Sequence, residues 1–262
     1  MGEGSSKPVL FIHGAFATNI IWAKFVPLFK QAGYECFTPT LFPDLRMHRH
    51  PPHSLSKMSL QDMVDEASEL AHEITEDTGQ KPIIIGHSMG GLITQKLTEM
   101  GLSNKSVFIT PAAPGDCFNE GIQMGLSFIG ELKLKRPGFS YKIDDLSLDF
   151  LALNKIPEKE RLAIHKTMVY ESGLALENIV NPYADENKTG IIDENKINVP
   201  TLTIGSFHDR TCIIPLVRKI GEKYARIGGE YIEYPDHAHM ITMEPNAEDV
   251  AKDILNWLAK TA

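Results

Sequence analysis

The chain has 262 residues, a formal net charge of −8, 42% hydrophobic residues and 23% charged residues. That length suits one large α/β domain, or a core carrying an inserted subdomain, and is enough to bury a substantial core. The acidic balance, with no basic stripe, argues against nucleic-acid binding, and no apolar run approaches the roughly 18 residues that a bilayer span requires.

Cys36, Cys117 and Cys212 are odd in number, widely scattered and without C-x-x-C spacing. They are expected to be free buried thiols in a reducing compartment rather than a disulfide framework or a zinc site, and a cytoplasmic location is expected. The opening Met1-Gly2-Glu3-Gly4-Ser5-Ser6 is polar and leads straight into a strand, so no secretory leader is expected. It formally matches the myristoylation pattern at Gly2, and a short polar tail is the preferred reading.

Val9 to Ile12 is a continuous apolar run, as a buried parallel strand should be, and it ends in His13-Gly14-Ala15. A helix is expected from about 18 to 32, stopped by Gly33, and a strand from 34 to 41. His48, His50 and His53 lie in a proline-broken segment; no ligand spacing accompanies them, so an irregular loop without a metal is expected. Ser59 and Asp62 form a capping-type pattern. The apolar positions Leu60, Met63, Val64, Ala67, Leu70, Ala71 and Ile74 then recur at helical spacing until Gly79.

Next comes the stretch on which function turns. The apolar run Pro82 to Ile85 meets Gly86-His87-Ser88-Met89-Gly90-Gly91, and a helical pattern follows at once. This is the G-x-S-x-G nucleophile elbow of strand, sharp turn and helix, with the serine at its apex. Glycines flank it because neighbouring backbone comes too close for a Cβ. A strand over 106–110 is expected after the helix.

From about 115 to 197 the alternation breaks. The segment carries no strand signal. Helical pieces are expected near 119–132, 146–153 and 157–171, with a polar, irregular stretch over 178–196. Residues 1–114 and 198–262 are therefore read as the core, and 115–197 as a helical cap. Phe118, Ile122, Met124, Leu126, Phe128, Phe139, Tyr141, Leu146, Phe150 and Leu151 are expected to pack mostly between cap and body, some lining an apolar pocket. The βα rhythm resumes with strand 201–204, helix 214–227, strand 230–234 and helix 247–260. Six strands alternating with helices predict a doubly wound, mostly parallel α/β sheet, with ligands bound beyond the carboxyl ends of its strands.

A serine needs a base, and the base needs an orienting acid. Asp209 follows the strand at 201–204 and His239 follows the strand at 230–234, so the chain order is Ser88, Asp209, His239. These motifs resemble α/β-hydrolases of the compact, capped kind, similar to plant methylesterases and hydroxynitrile lyases and to bacterial cofactor-free haloperoxidase-like esterases. The resemblance rests on Leu10 to Ala15, Gly86 to Gly91, Ile204 to Asp209 and His239 to Pro245. It favours His239 over His237, because Glu244-Pro245 follows at the expected distance, and Asp209 over Asp116, which is the alternative acid. It implies an oxyanion hole made by the backbone N–H groups of Ala15 and Met89, and a loop-orienting role for His13. The expected activity is cleavage of a small-to-medium hydrophobic ester, thioester or lactone, with no cofactor. Met240 stands where hydroxynitrile lyases carry lysine. Carbon–carbon bond hydrolysis, perhydrolysis, acyl transfer and a receptor role on the same scaffold are the alternatives.

Overall fold

The computed structural model describes residues 7–117 and 137–261. Its centre is a six-stranded sheet of β1 (Lys7–Ile12), β2 (Tyr34–Phe37), β3 (Ile83–His87), β4 (Lys105–Ile109), β7 (Thr201–Ser206) and β8 (Glu230–Tyr234), in the order β2-β1-β3-β4-β7-β8. Every neighbouring pair is parallel, with Val9 opposite Ile83 and Ile204 opposite Ile232. The central strands read as unbroken apolar runs because helices cover both faces. Among the helices are α1 (Val26–Gln31), α2 (Leu60–Thr78), α3 (Met89–Glu99), α7 (Ile214–Ala225) and α8 (Ala247–Lys260).

Strand order reverses at β1: the chain goes from β1 out to β2, then crosses back to β3 on the other side. The loops leaving β1 and β3 therefore diverge at a switch point, the usual ligand crevice of an open α/β sheet. One face of β1 is anchored by an aromatic cluster, in which Phe11 lies 5.0 Å from Trp22 and 5.2 Å from Phe29 between ring centroids. The cluster fixes the strand whose end carries the His13 turn.

Local chemistry sets the element ends. Ser59 and Asp62 form the capping box, with the Asp62 N–H donating to Ser59 Oγ at 3.1 Å and the Ser59 N–H to Asp62 Oδ2 at 2.7 Å. Gly79 closes α2 in the left-handed conformation, φ 71°. The expected helix over 18–32 is instead a 3-10 turn at Asn19–Trp22 and the short α1, since Pro27 can only sit at the start of a helix. The strand expected to reach residue 41 stops at Phe37, just before Thr38-Pro39.

Between β4 and β7 lie α4 (Asp145–Leu151), α5 (Glu158–His165) and α6 (Gly173–Val180), together with a two-stranded antiparallel pair of β5 (Ser140–Tyr141) and β6 (Glu171–Ser172). That pair corrects the expectation of no strand in this segment; at two residues each, its strands are too short to leave an alternation pattern. The helix α5 ends well before residue 171, and α6 occupies a stretch expected to be partly irregular. The helix expected near 119–132, with Phe118 to Phe128, lies outside the described residues. Phe139, Leu146 and Phe150 are exposed, contrary to expectation, while Leu148, Leu151 and Met168 are buried. Among the described residues no helix is long and apolar enough to cross a membrane.

The packing of α3 against β3 and the end of β1 leaves no room for side chains at two glycines. A Cβ on Gly86 would lie 2.1 Å from the Gly90 carbonyl oxygen, and one on Gly90 would lie 2.3 Å from the Ile12 carbonyl oxygen. Both obstacles are backbone, so the elements themselves would have to separate. Gly86→Ala is expected to cost about 2 kcal/mol or more. Chemical denaturation checks this; a variant of wild-type stability would mean that the crossing relaxes freely.

Candidate active site

Ser88 links β3 to α3. Its backbone sits at φ 57°, ψ −121°, outside the regions a non-glycine residue ordinarily adopts. Such strain persists only where surroundings over-determine it. Here the Ser88 N–H donates to the Ile109 carbonyl at 3.1 Å, while the Ser88 carbonyl accepts from Gly91 at 2.9 Å and from Ala112 at 2.9 Å. The Ser88 Oγ is 3.0 Å from His239 Nε2, and His239 Nδ1 is 2.8 Å from Asp209 Oδ2. The structure thus brings together the serine, histidine and acid picked out from the sequence, from the carboxyl ends of β3, β8 and β7.

The acid is held as a carboxylate acceptor. Asp209 Oδ2 faces the His239 ring, and Oδ1 accepts the N–H groups of Thr211 at 2.7 Å and Cys212 at 2.8 Å. These bonds use the turn that follows Asp209, so the side chain is anchored by its own loop. The Cys212 thiol beside it is pushed well above the usual range by burial and by the Asp209 charge, which keeps it protonated.

The alternatives are engaged elsewhere. Asp116 receives a hydrogen bond from Lys223 Nζ at 2.6 Å. His237 Nδ1 lies 2.9 Å from Glu244 Oε2, and that buried carboxylate also accepts the Ala238 N–H at 3.0 Å. Glu244 and His237 thus brace the loop that carries His239.

On the other side of Ser88 stands the His13 turn. A Cβ on Gly14 would lie 2.8 Å from Ser88 Cβ, so glycine is what lets this loop approach Ser88. His13 Nδ1 is 2.9 Å from the Gly14 carbonyl, and its Nε2 accepts the Leu41 N–H at 3.0 Å. Those partners put the ring proton on Nδ1. Ala15 lines the pocket beside Ser88, and Met89 opens α3, where helix N–H groups have no partner within the helix.

His87 is the residue that sequence reasoning passed over, although it stands inside the motif. Its Nε2 donates to the His239 carbonyl at 2.8 Å, and the two rings lie 4.8 Å apart between centroids. Thr110 Oγ1 adds a bond to the same carbonyl at 3.3 Å. His239 is therefore fixed through its backbone as well as its ring. No signal outside the elbow marks Thr110.

Over the site, beside Ser88 and His239, lies a pocket. Its walls are chiefly apolar, with Phe16, Ala17, Ile143, Leu148, Met168 and Met240 among them. Met168, Leu148 and Ile143 come from the inserted segment. Among the described residues, the one cluster of three ligand-type side chains is Asp209, Cys212 and His239, and the Asp209 carboxyl group and the His239 ring are occupied in the hydrogen bonds just given.

A parallel sheet bearing a serine at a strand-to-helix turn, with histidine and acid on later strand ends, defines the α/β-hydrolase fold. The chain belongs to the alpha/beta hydrolase family, whose model matches residues 9–253. Among solved structures, it is similar to a monoacylglycerol lipase of Paleococcus ferrophilus, at 20% identity over 99% of this chain and 97% of that one, TM-score 0.69. It is also similar to tomato methylketone synthase I complexed with 2-tridecanone (17% identity, 98% and 99% covered, TM-score 0.74). An Arabidopsis methylesterase is a further neighbour, at 14% identity, with 97% and 99% covered and a TM-score of 0.72. No curated protein sequence matches the chain.

Burial pushes His13 and His87 down to about 3, with the nearby Arg46 charge adding at His13 and His239 adding at His87. Both are neutral in the folded protein, yet titrate near 6.5 once unfolded. The unfolded chain then binds more protons below pH 6.5, so stability falls as pH drops from about 6.5 toward 3. The slope is about 1.4 kcal/mol per pH unit for each ring once its unfolded form is protonated. Urea denaturation between pH 6.5 and 4.5 is expected to follow that fall, and His13→Gln to make it shallower by about one proton.

Proposed function

We propose that the protein is a serine hydrolase that cleaves a small-to-medium hydrophobic carboxylic ester, thioester or lactone through an acyl-enzyme. One observation carries this reading: the chain of hydrogen bonds from Ser88 through His239 to Asp209, which opens into an apolar pocket. Ester- and lipid-cleaving neighbours of the same fold support it, and so does an apolar 2-tridecanone bound in another.

In this mechanism His239 takes the Ser88 proton as the oxygen attacks the substrate carbonyl. Asp209 stabilises the imidazolium that forms. The N–H groups of Ala15 and Met89 receive the developing oxyanion, each donor contributing about 3–4 kcal/mol to the transition state. His239 protonates the leaving alcohol or thiol. Water activated by the same ring then cleaves the acyl-enzyme and regenerates Ser88. Residues 115–197 act as the cap that supplies Ile143, Leu148 and Met168 to the acyl or alcohol pocket. With Met240 in place of a lysine, the described residues of the pocket wall place no lysine or arginine beside the base, which favours hydrolysis over lyase chemistry.

Ser88→Ala is expected to lower hydrolysis of short p-nitrophenyl esters by about 10³-fold or more, and Asp209→Asn by a comparable factor, without loss of folding. A fluorophosphonate probe should add its mass to the Ser88 peptide. Undiminished hydrolysis by Ser88→Ala would refute the assignment of the nucleophile. A panel from acetate to laurate esters, with lactones, identifies the preferred class.

A further inference from the structure

The fully buried ion pair between Arg46 and Glu171 joins the loop after β2 to strand β6 of the inserted segment. Neither side chain is exposed, and Arg46 Nε has no hydrogen-bond partner. Burying two charges is costly, and a hydrophobic pair of the same volume is often at least as stable. What distinguishes this pair is a third contact. Glu171 Oε2, which receives the Arg46 guanidinium, also accepts the backbone N–H of Phe16 at 3.4 Å, while Oε1 accepts the Ser172 N–H at 2.9 Å.

Phe16 directly follows Ala15 in the turn facing Ser88, and it adopts φ 61°, a conformation unfavourable for an aromatic residue. Its carbonyl accepts the Val169 N–H at 2.9 Å, and the adjacent Tyr170 N–H donates to the Met47 carbonyl at 3.0 Å. Both polar groups of the Phe16 backbone are thus taken by residues 169–171. The Ala15–Phe16 peptide plane is held from the far side of the pocket, next to Met168, which forms part of the pocket wall.

We propose that Glu171 is a positioning residue for the oxyanion hole: with Arg46 fixing its carboxylate, it holds Phe16 and thereby aims the Ala15 N–H at the reacting carbonyl oxygen. The inference rests on the serine-hydrolase reading above. It makes the inserted segment part of the catalytic geometry, since the stretch 168–171, which lines the pocket through Met168 and ends in β6, also sets the donor loop.

Two double variants separate this role from simple packing. Both remove the ion pair: Arg46→Met with Glu171→Gln keeps an oxygen acceptor for Phe16, whereas Arg46→Met with Glu171→Leu removes it. With both variants folded to similar denaturation midpoints, kcat for a p-nitrophenyl ester is expected to be about 10–100-fold lower in the leucine variant than in the glutamine variant, with KM changed much less. Equal kcat values would overturn the proposal. Amide hydrogen exchange in the wild type supplies a readout independent of activity and of variant folding: the Phe16 N–H is expected to be protected, and exchange at the rate of an unprotected amide would overturn it. A wild type that hydrolyses no ester, yet protects Phe16, would count against the function and leave the structural coupling standing.

Discussion

The structure depends on one steric constraint: three backbone segments meet at Ser88 with no space for side chains between them. The β1 loop approaches through Gly14, α3 crosses β3 through Gly86 and Gly90, and α3 packs against Pro111 through Gly91. The strained Ser88 backbone is the outcome of that convergence. A residue at φ 57° costs about 1–3 kcal/mol, offset by sheet and helix packing on either side. The same geometry that strains the serine aims its oxygen out of the sheet and brings the start of α3 and the His13 turn to opposite sides of it.

The parallel sheet does the remaining placement. Because β1, β3, β7 and β8 run in the same direction, their carboxyl ends share one edge, and the residues that follow them meet although they lie up to 226 positions apart, from His13 to His239. Each is then locked locally. Asp209 is tied to its own turn through Thr211 and Cys212, and the His239 loop is braced by Glu244 at one end and by His87 at its carbonyl. Long-range topology fixes the neighbourhood, and short-range hydrogen bonds fix orientation.

That division explains what could be read from the chain. The elbow, the capping box at Ser59 and Asp62, the apolar strands and the later strand ends are local patterns, and each leaves a mark within a few residues. The strand over 230–234 and the helix over 247–260 occur where their periodicity put them. The short β5–β6 pair, the exposed Phe139, Leu146 and Phe150, and the buried union of Arg46 with Glu171 leave no local mark. They depend on how the inserted segment lies over the body, and nothing within a few residues of Glu171 announces a partner 125 positions away. Pro27 was visible, but the helical pattern around it masked its effect on where α1 begins.

The electrostatics of the site follow from the same burial. In the proposed mechanism the His239 ring carries a positive charge at the moment of proton transfer, and the His87 ring sits 4.8 Å away. Two imidazolium rings at that distance would oppose each other and raise the barrier to forming the first. Burial removes the conflict, since a ring pushed down to about 3 stays neutral at neutral pH. His87 then donates to the His239 carbonyl as a neutral ring and holds the residue proposed as the base. The residue beside Ser88 thus stays neutral at neutral pH, while the His239 ring faces the Asp209 carboxyl group.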